Sequence, residues 1–224
     1  MKFVEYPDRD MMMIDLANVM AGELNAALHA NDTVSLAVPG GTTPGPLFDG
    51  LCAADIDWSR VVVIPTDERW VPGDHARSNA RLIGERLLTD RASAASLLPL
   101  YTGDATPEEG APTLSDRLAR HLPVSVMLLG MGGDMHTASL FPGAEGLAAA
   151  LDPHAPAVCA IRSPDAGEPR VSLSLPVLQG AMARHVLITG ADKRAALDRA
   201  RDLNDPLAAP VSAVLAGATV HWAE

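Results

Sequence analysis

The sequence predicts a doubly wound α/β fold, in which a mostly parallel sheet carries helices on both faces. Two observations lead to this class. Short runs rich in β-branched and apolar residues recur along the chain without polar alternation, as strands buried on both faces require. Segments with helical spacing and glycine-bearing turns separate them, as the crossovers of a parallel sheet require.

The elements follow in chain order. Met13, Leu16, Met20, Leu24 and Leu28 keep helical spacing, which predicts a helix from about Arg9 to Ala30 that includes Met11 to Met13. TVSLAV (33–38) is a strand ending in Pro-Gly-Gly, and RVVVIP (60–65) is the next, followed by a polar loop and a helix from about Ser78 to Leu88. LYTGDATPEEGAPT (100–113) is the most loop-like stretch. VSVMLLG (124–130), PAVCAI (156–161), RVSLSL (170–175), HVLITG (185–190) and VSAVLA (211–216) read as further strands, with a helix after residue 190 running to about Leu203. Without an internal repeat, a low-complexity tract or a long linker, residues 1–224 are expected to form one domain.

Composition narrows the function. At 48% hydrophobic residues the chain can bury a core, and its net charge of −11 argues against a surface for nucleic acid or anionic membrane. An anionic ligand must therefore meet local positive charge. Cys52 and Cys159 lie far apart in apolar settings, as free thiols of a reducing compartment do. Acids interrupt the region where a signal peptide needs an apolar core, and no run approaches a membrane span, so the expected location is the cytoplasm. The Asn31-Asp32-Thr33 sequon carries no weight without export. Composition does not fix the oligomeric state.

In such sheets ligands sit beyond the carboxyl ends of the strands. Four segments there gather glycine and polar residues: VPGGTTPG (38–45), PTDERW (65–70), GMGGDMHTAS (130–139) and TGADKR (189–194). The third tempts a dinucleotide reading, but Met135 stands where the last glycine of GxGxxG belongs. P-loop, GxSxG, HExxH and paired CxxC patterns are absent, and Asp134-x-His136 alone is a poor metal predictor, so no metal and no nucleotide is expected.

The first loop is either an anion site or an ordinary capped turn. Gly40 and Gly41 allow a sharp backbone turn, Thr42 and Thr43 offer hydroxyls and a cap, and Pro44 suits a first helical turn. Lys193 is one of only two lysines and opens a helix, where the dipole does not favour a cation. Arg69 and Arg170 are further cations for a phosphate, with surface ion pairs as the alternative. Asp67 and Glu68 are adjacent, so one faces any site and the other the scaffold. His136 is the one histidine of seven in a glycine-bounded loop after an apolar strand. With Asp134 two positions away it is a candidate general base; the alternative is a structural histidine.

Taken together, VPGGTTP, TDERWVPGDHARSN, LLGMGGDMHTASLFPG and RVSLSLPVLQGAMARHVLITGADKR resemble the 6-phosphogluconolactonases, within the glucosamine-6-phosphate isomerase and lactonase superfamily. The match spans about residues 34–198 in order. It implies a Rossmann-like α/β domain, no cofactor, and hydrolysis of 6-phospho-D-glucono-1,5-lactone to 6-phosphogluconate in the oxidative pentose phosphate pathway. By this resemblance His136 is the base that activates water, and Gly40, Gly41 and Thr42 form the phosphate loop. Asp67 and Arg69 line the pocket, and Arg170 and Lys193 are basic positions near the phosphate. Asp134 or Asp67 would orient the imidazolium. Met135 departs from the family pattern, which has glycine between aspartate and histidine; positive φ there would strain a methionine. The sister deaminases and isomerases carry a proton-exchanging glutamate in the following segment, where this chain has Phe141. A non-catalytic sugar-phosphate sensor is a third reading, although the chain has no spare DNA-binding segment.

Overall fold

The computed structural model describes residues 1–224, the side chain of Asp165 apart. Its elements run β1 (Lys2–Glu5), α1 (Arg9–Ala30), β2 (Val34–Val38), α2 (Gly45–Leu51), β3 (Val61–Pro65), β4 (Asp67–Arg69), α3 (Asn79–Arg86) and β5 (Ser96–Leu97). Then come α4 (Pro107–Ala119), β6 (Val126–Gly130), α5 (Leu147–Ala150), β7 (Val158–Ile161), β8 (Arg170–Leu173), α6 (Leu175–Gly180), β9 (Ala183–Thr189), α7 (Ala191–Leu203) and β10 (Thr219–Ala223).

Among the described residues seven strands form a parallel sheet in the order β1-β10-β9-β6-β2-β3-β5. Successive strand residues point to opposite faces, and each face has its own core. Leu36, Val38, Val63, Val126 and Leu128 pack with Met12, Leu16, Phe48 and Ile83 from α1, α2 and α3. Ala37, Ile64, Met127, Leu129, Val186 and Ile188 pack on the other face with Leu114 of α4, Val177 of α6 and Leu197 of α7. This is the doubly wound arrangement the unbroken apolar strands predict. Burying each such side chain contributes roughly 1.5–3 kcal/mol.

The chain runs outward from β2 through β3 to β5, then returns to place β6 on the other side of β2. The loops after β2 and β6 therefore diverge, opening a crevice at the carboxyl ends of the strands.

Several expectations need correction. VSAVLA (211–216) is not a strand: Pro210–Val214 form a 3-10 helix, and β10 lies just beyond, at 219–223. Short apolar runs do not separate the two by periodicity, and Pro210 at the start favours a helical turn. Half of the loop-like 100–113 segment is helix, because α4 begins at Pro107. Thr106 caps it, its Oγ1 accepting from the Glu109 N–H, and the Thr-Pro-Glu-Glu start signal outweighs Gly110 and Pro112. PAVCAI and RVSLSL do contain strands, but these join β4 in a separate antiparallel sheet, β4-β8-β7, and Leu175 already belongs to α6. Neither Thr42 nor Thr43 caps α2; Pro44 holds that position without a side-chain hydrogen bond.

A polar chain ties α1 to the sheet. Tyr6 donates to Asp15 (2.7 Å) and meets His221 Nδ1 (2.9 Å); His221 meets His185 (3.0 Å), which meets Glu23 (2.7 Å). Burial pulls His221 down to about 4, with the neighbouring His185 pushing the same way. Cys52 and Cys159 are both buried free thiols.

Candidate active site

A cleft of about 250 Å³ occupies the crevice. All four sequence segments reach it: Pro39 to Gly41, Thr43 and Pro44 after β2; Asp67 and Arg69 of β4; Gly130 at the end of β6 with Met131, Gly132, His136 and Ala138 after it; and Thr189 at the end of β9 with Lys193 beyond it. Arg170 of β8 and Asn79 of α3 complete the walls. Thr42 and Asp134 do not line it.

The β6 loop places His136 in the cleft wall. Its Nδ1 lies 2.5 Å from Asp134 Oδ1, which also accepts from the His136 N–H at 3.3 Å. A carboxylate only accepts, so Nδ1 carries a proton, and in the neutral ring Nε2 keeps its lone pair and can serve as a base. Gly132 makes this pairing possible: a Cβ there would sit 2.1 Å from His136 Nδ1 and 2.2 Å from Asp134 Oδ1. On its other side the imidazole packs on Phe141, ring centroids 4.4 Å apart, and the Arg170 guanidinium lies 5.3 Å from the centre of the Phe141 ring.

Strain brackets the histidine. Met135 (φ 69°) and Ala138 (φ 48°) both occupy the left-handed region, at a cost of about 1–2 kcal/mol each. Met135 thus keeps the glycine-type conformation that its position demands. Its carbonyl accepts from the Val211 N–H at 3.0 Å, its own N–H donates to the Gly132 carbonyl, and its side chain packs on the core.

The first loop is open toward the cleft. Gly41 is left-handed (φ 87°), and among the described residues the N–H groups of Gly40, Gly41, Thr42 and Thr43 meet no acceptor. Gly40 is glycine for another reason: a Cβ would fall 1.9 Å from Asn79 Oδ1.

Cations wall the far side. Arg69 and Arg170 are directly paired across β4 and β8, an unfavourable like-charge pairing. Both Nε atoms are buried without an acceptor among the described residues. Burial lowers the Arg170 pKa, the nearby Asp67 opposes that shift, and Arg69 reinforces it. Lys193 Nζ donates to the Met131 carbonyl (2.8 Å), which leaves two N–H bonds, and no carboxylate lies within 4 Å of it among the described residues.

Asp67 and Glu68 divide as their adjacency requires. Asp67 accepts from Ser139 Oγ (2.6 Å) and Thr66 Oγ1 (3.0 Å) and lies 3.8 Å from Arg170, so it braces the cation rather than the imidazole. Glu68 turns away and receives the N–H groups of Asn79 and Ala80, both at 2.7 Å, with Ser78 Oγ at 3.1 Å. Burial pushes its carboxyl pKa up against these bonds. Asn79 was the residue sequence reasoning missed. The available signal was its place beside Ser78, the helix cap, at the start of α3. Among the described residues no three His, Cys, Asp or Glu side chains gather as a metal set, and no helix is long and apolar enough to cross a membrane.

The parallel sheet, its switch-point cleft and the surrounding cations define an α/β protein with a small-ligand site. A family model for glucosamine-6-phosphate isomerases/6-phosphogluconolactonase matches residues 7–222, and the chain belongs to that family. A 6-phosphogluconolactonase of Rhizobium meliloti (strain 1021) is 41% identical over 93% of this chain and 92% of its own. The crystal structure of a 6-phosphogluconolactonase from Shewanella baltica OS155 superposes with a TM-score of 0.96 at 34% identity, covering 100% of this chain and 97% of that one. A monomeric glucosamine-6-phosphate deaminase shares the fold alone, with a TM-score of 0.78 at 15% identity.

Proposed function

We propose that the chain hydrolyses 6-phospho-D-glucono-1,5-lactone to 6-phospho-D-gluconate, as a cytoplasmic step of the oxidative pentose phosphate pathway that uses neither metal nor cofactor. The observation that carries this reading is the histidine whose Nδ1 is fixed by Asp134 and whose ring lines a cleft that also holds Arg69, Arg170 and Lys193. Relatives named 6-phosphogluconolactonase at 40–41% identity over more than nine-tenths of the chain support it.

The substrate phosphate docks on the unpaired N–H groups of Gly40, Gly41 and Thr43, with Lys193 and Arg170 supplying positive charge. Binding this remote group fixes the lactone carbonyl against His136. Nε2 takes a proton from water as the oxygen attacks C1, and Asp134 stabilises the imidazolium through Nδ1. The tetrahedral oxyanion collapses, the ring C–O bond breaks, and the imidazolium returns its proton to the departing ring oxygen. In the 130–133 loop the Gly132 N–H is already donated to the His136 carbonyl, so it is not free to bind the oxyanion. A positioned base contributes about 100- to 10,000-fold, enough for a lactone that already hydrolyses readily.

The test generates fresh 6-phosphogluconolactone enzymatically and follows acid release, with glucosamine 6-phosphate assayed for ammonia in parallel. Acid release well above the spontaneous rate, with no ammonia, is expected. Ammonia release would assign the chain to the sister activity, and binding of phosphogluconate without turnover would make it a sensor.

A further inference from the structure

Asn79 sits in the cleft wall with an orientation fixed from three sides. Ser78 caps α3 by accepting from the Arg81 N–H at 3.2 Å. Glu68, 1% exposed, holds the N–H groups of Asn79 and Ala80. The side-chain amide itself donates from Nδ2 to the Asp67 carbonyl at 2.8 Å. A carbonyl only accepts, so the NH2 end must face Asp67 and the oxygen must face the other way. That direction is toward Gly40, whose missing side chain makes the room.

Asn79 is 3% exposed, yet among the described residues no donor reaches its Oδ1. A fixed acceptor at this place discriminates. It repels the oxygens of a phosphate dianion and takes a hydrogen bond from a hydroxyl group. Its neighbours in the wall are donors: the loop N–H groups, Arg69 and Arg170. The cleft therefore sets an oriented neutral acceptor beside these donors, apart from the Asp67 carboxylate and the His136 imidazole.

We infer that Asn79 Oδ1 receives a hydroxyl of the sugar portion of the ligand and so selects a polyhydroxylated phosphate over a plain one. Glu68 is the positioning residue, acting through Asn79 without touching the ligand. The inference rests on the sugar-phosphate reading above, but its test needs no turnover.

Calorimetric titration of 6-phosphogluconate and of inorganic phosphate into the wild type and Asn79→Ala separates the contributions. Loss of one neutral hydrogen bond should weaken 6-phosphogluconate by roughly 3- to 10-fold. Inorganic phosphate, which Asn79 does not touch, should keep its affinity within about twofold. Glu68→Gln should reproduce the pattern if it folds; Asn79→Ala decides the matter alone if it does not. Equal weakening of both ligands would overturn the inference in favour of a phosphate contact or a general loss of shape. Unchanged affinity for both would overturn it outright. Failure of the lactonase reading appears separately, as absent acid release from the wild type.

Discussion

Gly132→Ala isolates the contact on which the catalytic proposal depends. Gly132 lies outside the left-handed region, so its backbone accepts alanine without strain. The added methyl instead meets His136 Nδ1 at 2.1 Å and Asp134 Oδ1 at 2.2 Å, well inside contact distance, and must drive the two apart. What is lost is one charge-assisted hydrogen bond, about 1.5–3 kcal/mol, together with the fixed tautomer. If that bond acts on the imidazolium in the transition state, kcat falls roughly 10- to 100-fold while substrate binding holds. The pair is partly exposed, with side chains 30% and 52% accessible, so folding stability should change by less than about 1 kcal/mol. Steady-state kinetics on fresh lactone, beside a urea melt, read both quantities. A wild-type kcat in a folded Gly132→Ala protein would refute the claim that Asp134 tunes His136. A large loss of stability would mean that the loop, not the pair, had been broken.

Lys193→Ala removes a partly buried cation and should lower kcat/KM roughly 10- to 100-fold, chiefly through KM; an unchanged KM would take Lys193 out of the phosphate site. Met135→Gly should leave kcat within about threefold, under 1 kcal/mol, because the backbone already has a glycine conformation; a collapse of activity would show that the methionine side chain is itself needed. His221 is held near 4 in the fold against about 6.5 unfolded, so its neutral form is favoured and the unfolded chain binds the extra proton. Its contribution is present above pH 6.5 and is lost as the pH falls toward 4, by up to about 3 kcal/mol. Urea melts across that window should show a steeper acid loss in the wild type than in His221→Gln, and parallel curves would refute the assignment. Cys159, pushed up to about 11 by burial, should resist iodoacetamide at pH 8 in the folded protein.

The parallel sheet was legible because both faces of each central strand are covered, which leaves Leu36, Ala37 and Val38 all apolar with no alternation to misread. What escaped was set by tertiary contact. β1, four residues long and half exposed, gains strand geometry only by adding to β10 at the sheet edge. In the antiparallel β4-β8-β7 sheet β4 pairs with β8 about a hundred residues away, which nothing local announces, whereas β7 and β8 are joined by residues 162–169 alone, too short a connection for a parallel crossover. In the cleft, loops with unusual chemistry announced themselves: Gly40-Gly41, Asp67 and Arg69, His136 and Lys193 converge as their positions after strands suggested. Asn79 did not, because its value lies in an orientation imposed by Glu68 and Asp67 rather than in its residue type. Likewise the reason for Gly132 and Gly40 is the side chain each admits, which only three dimensions reveal.

The most direct test of the central claim is the kcat of His136→Ala on freshly generated 6-phosphogluconolactone, corrected for spontaneous hydrolysis. With the only proposed base removed, kcat should fall at least about 100-fold while 6-phosphogluconate still binds within about threefold. A near-wild-type kcat would contradict the account, whatever the other variants show.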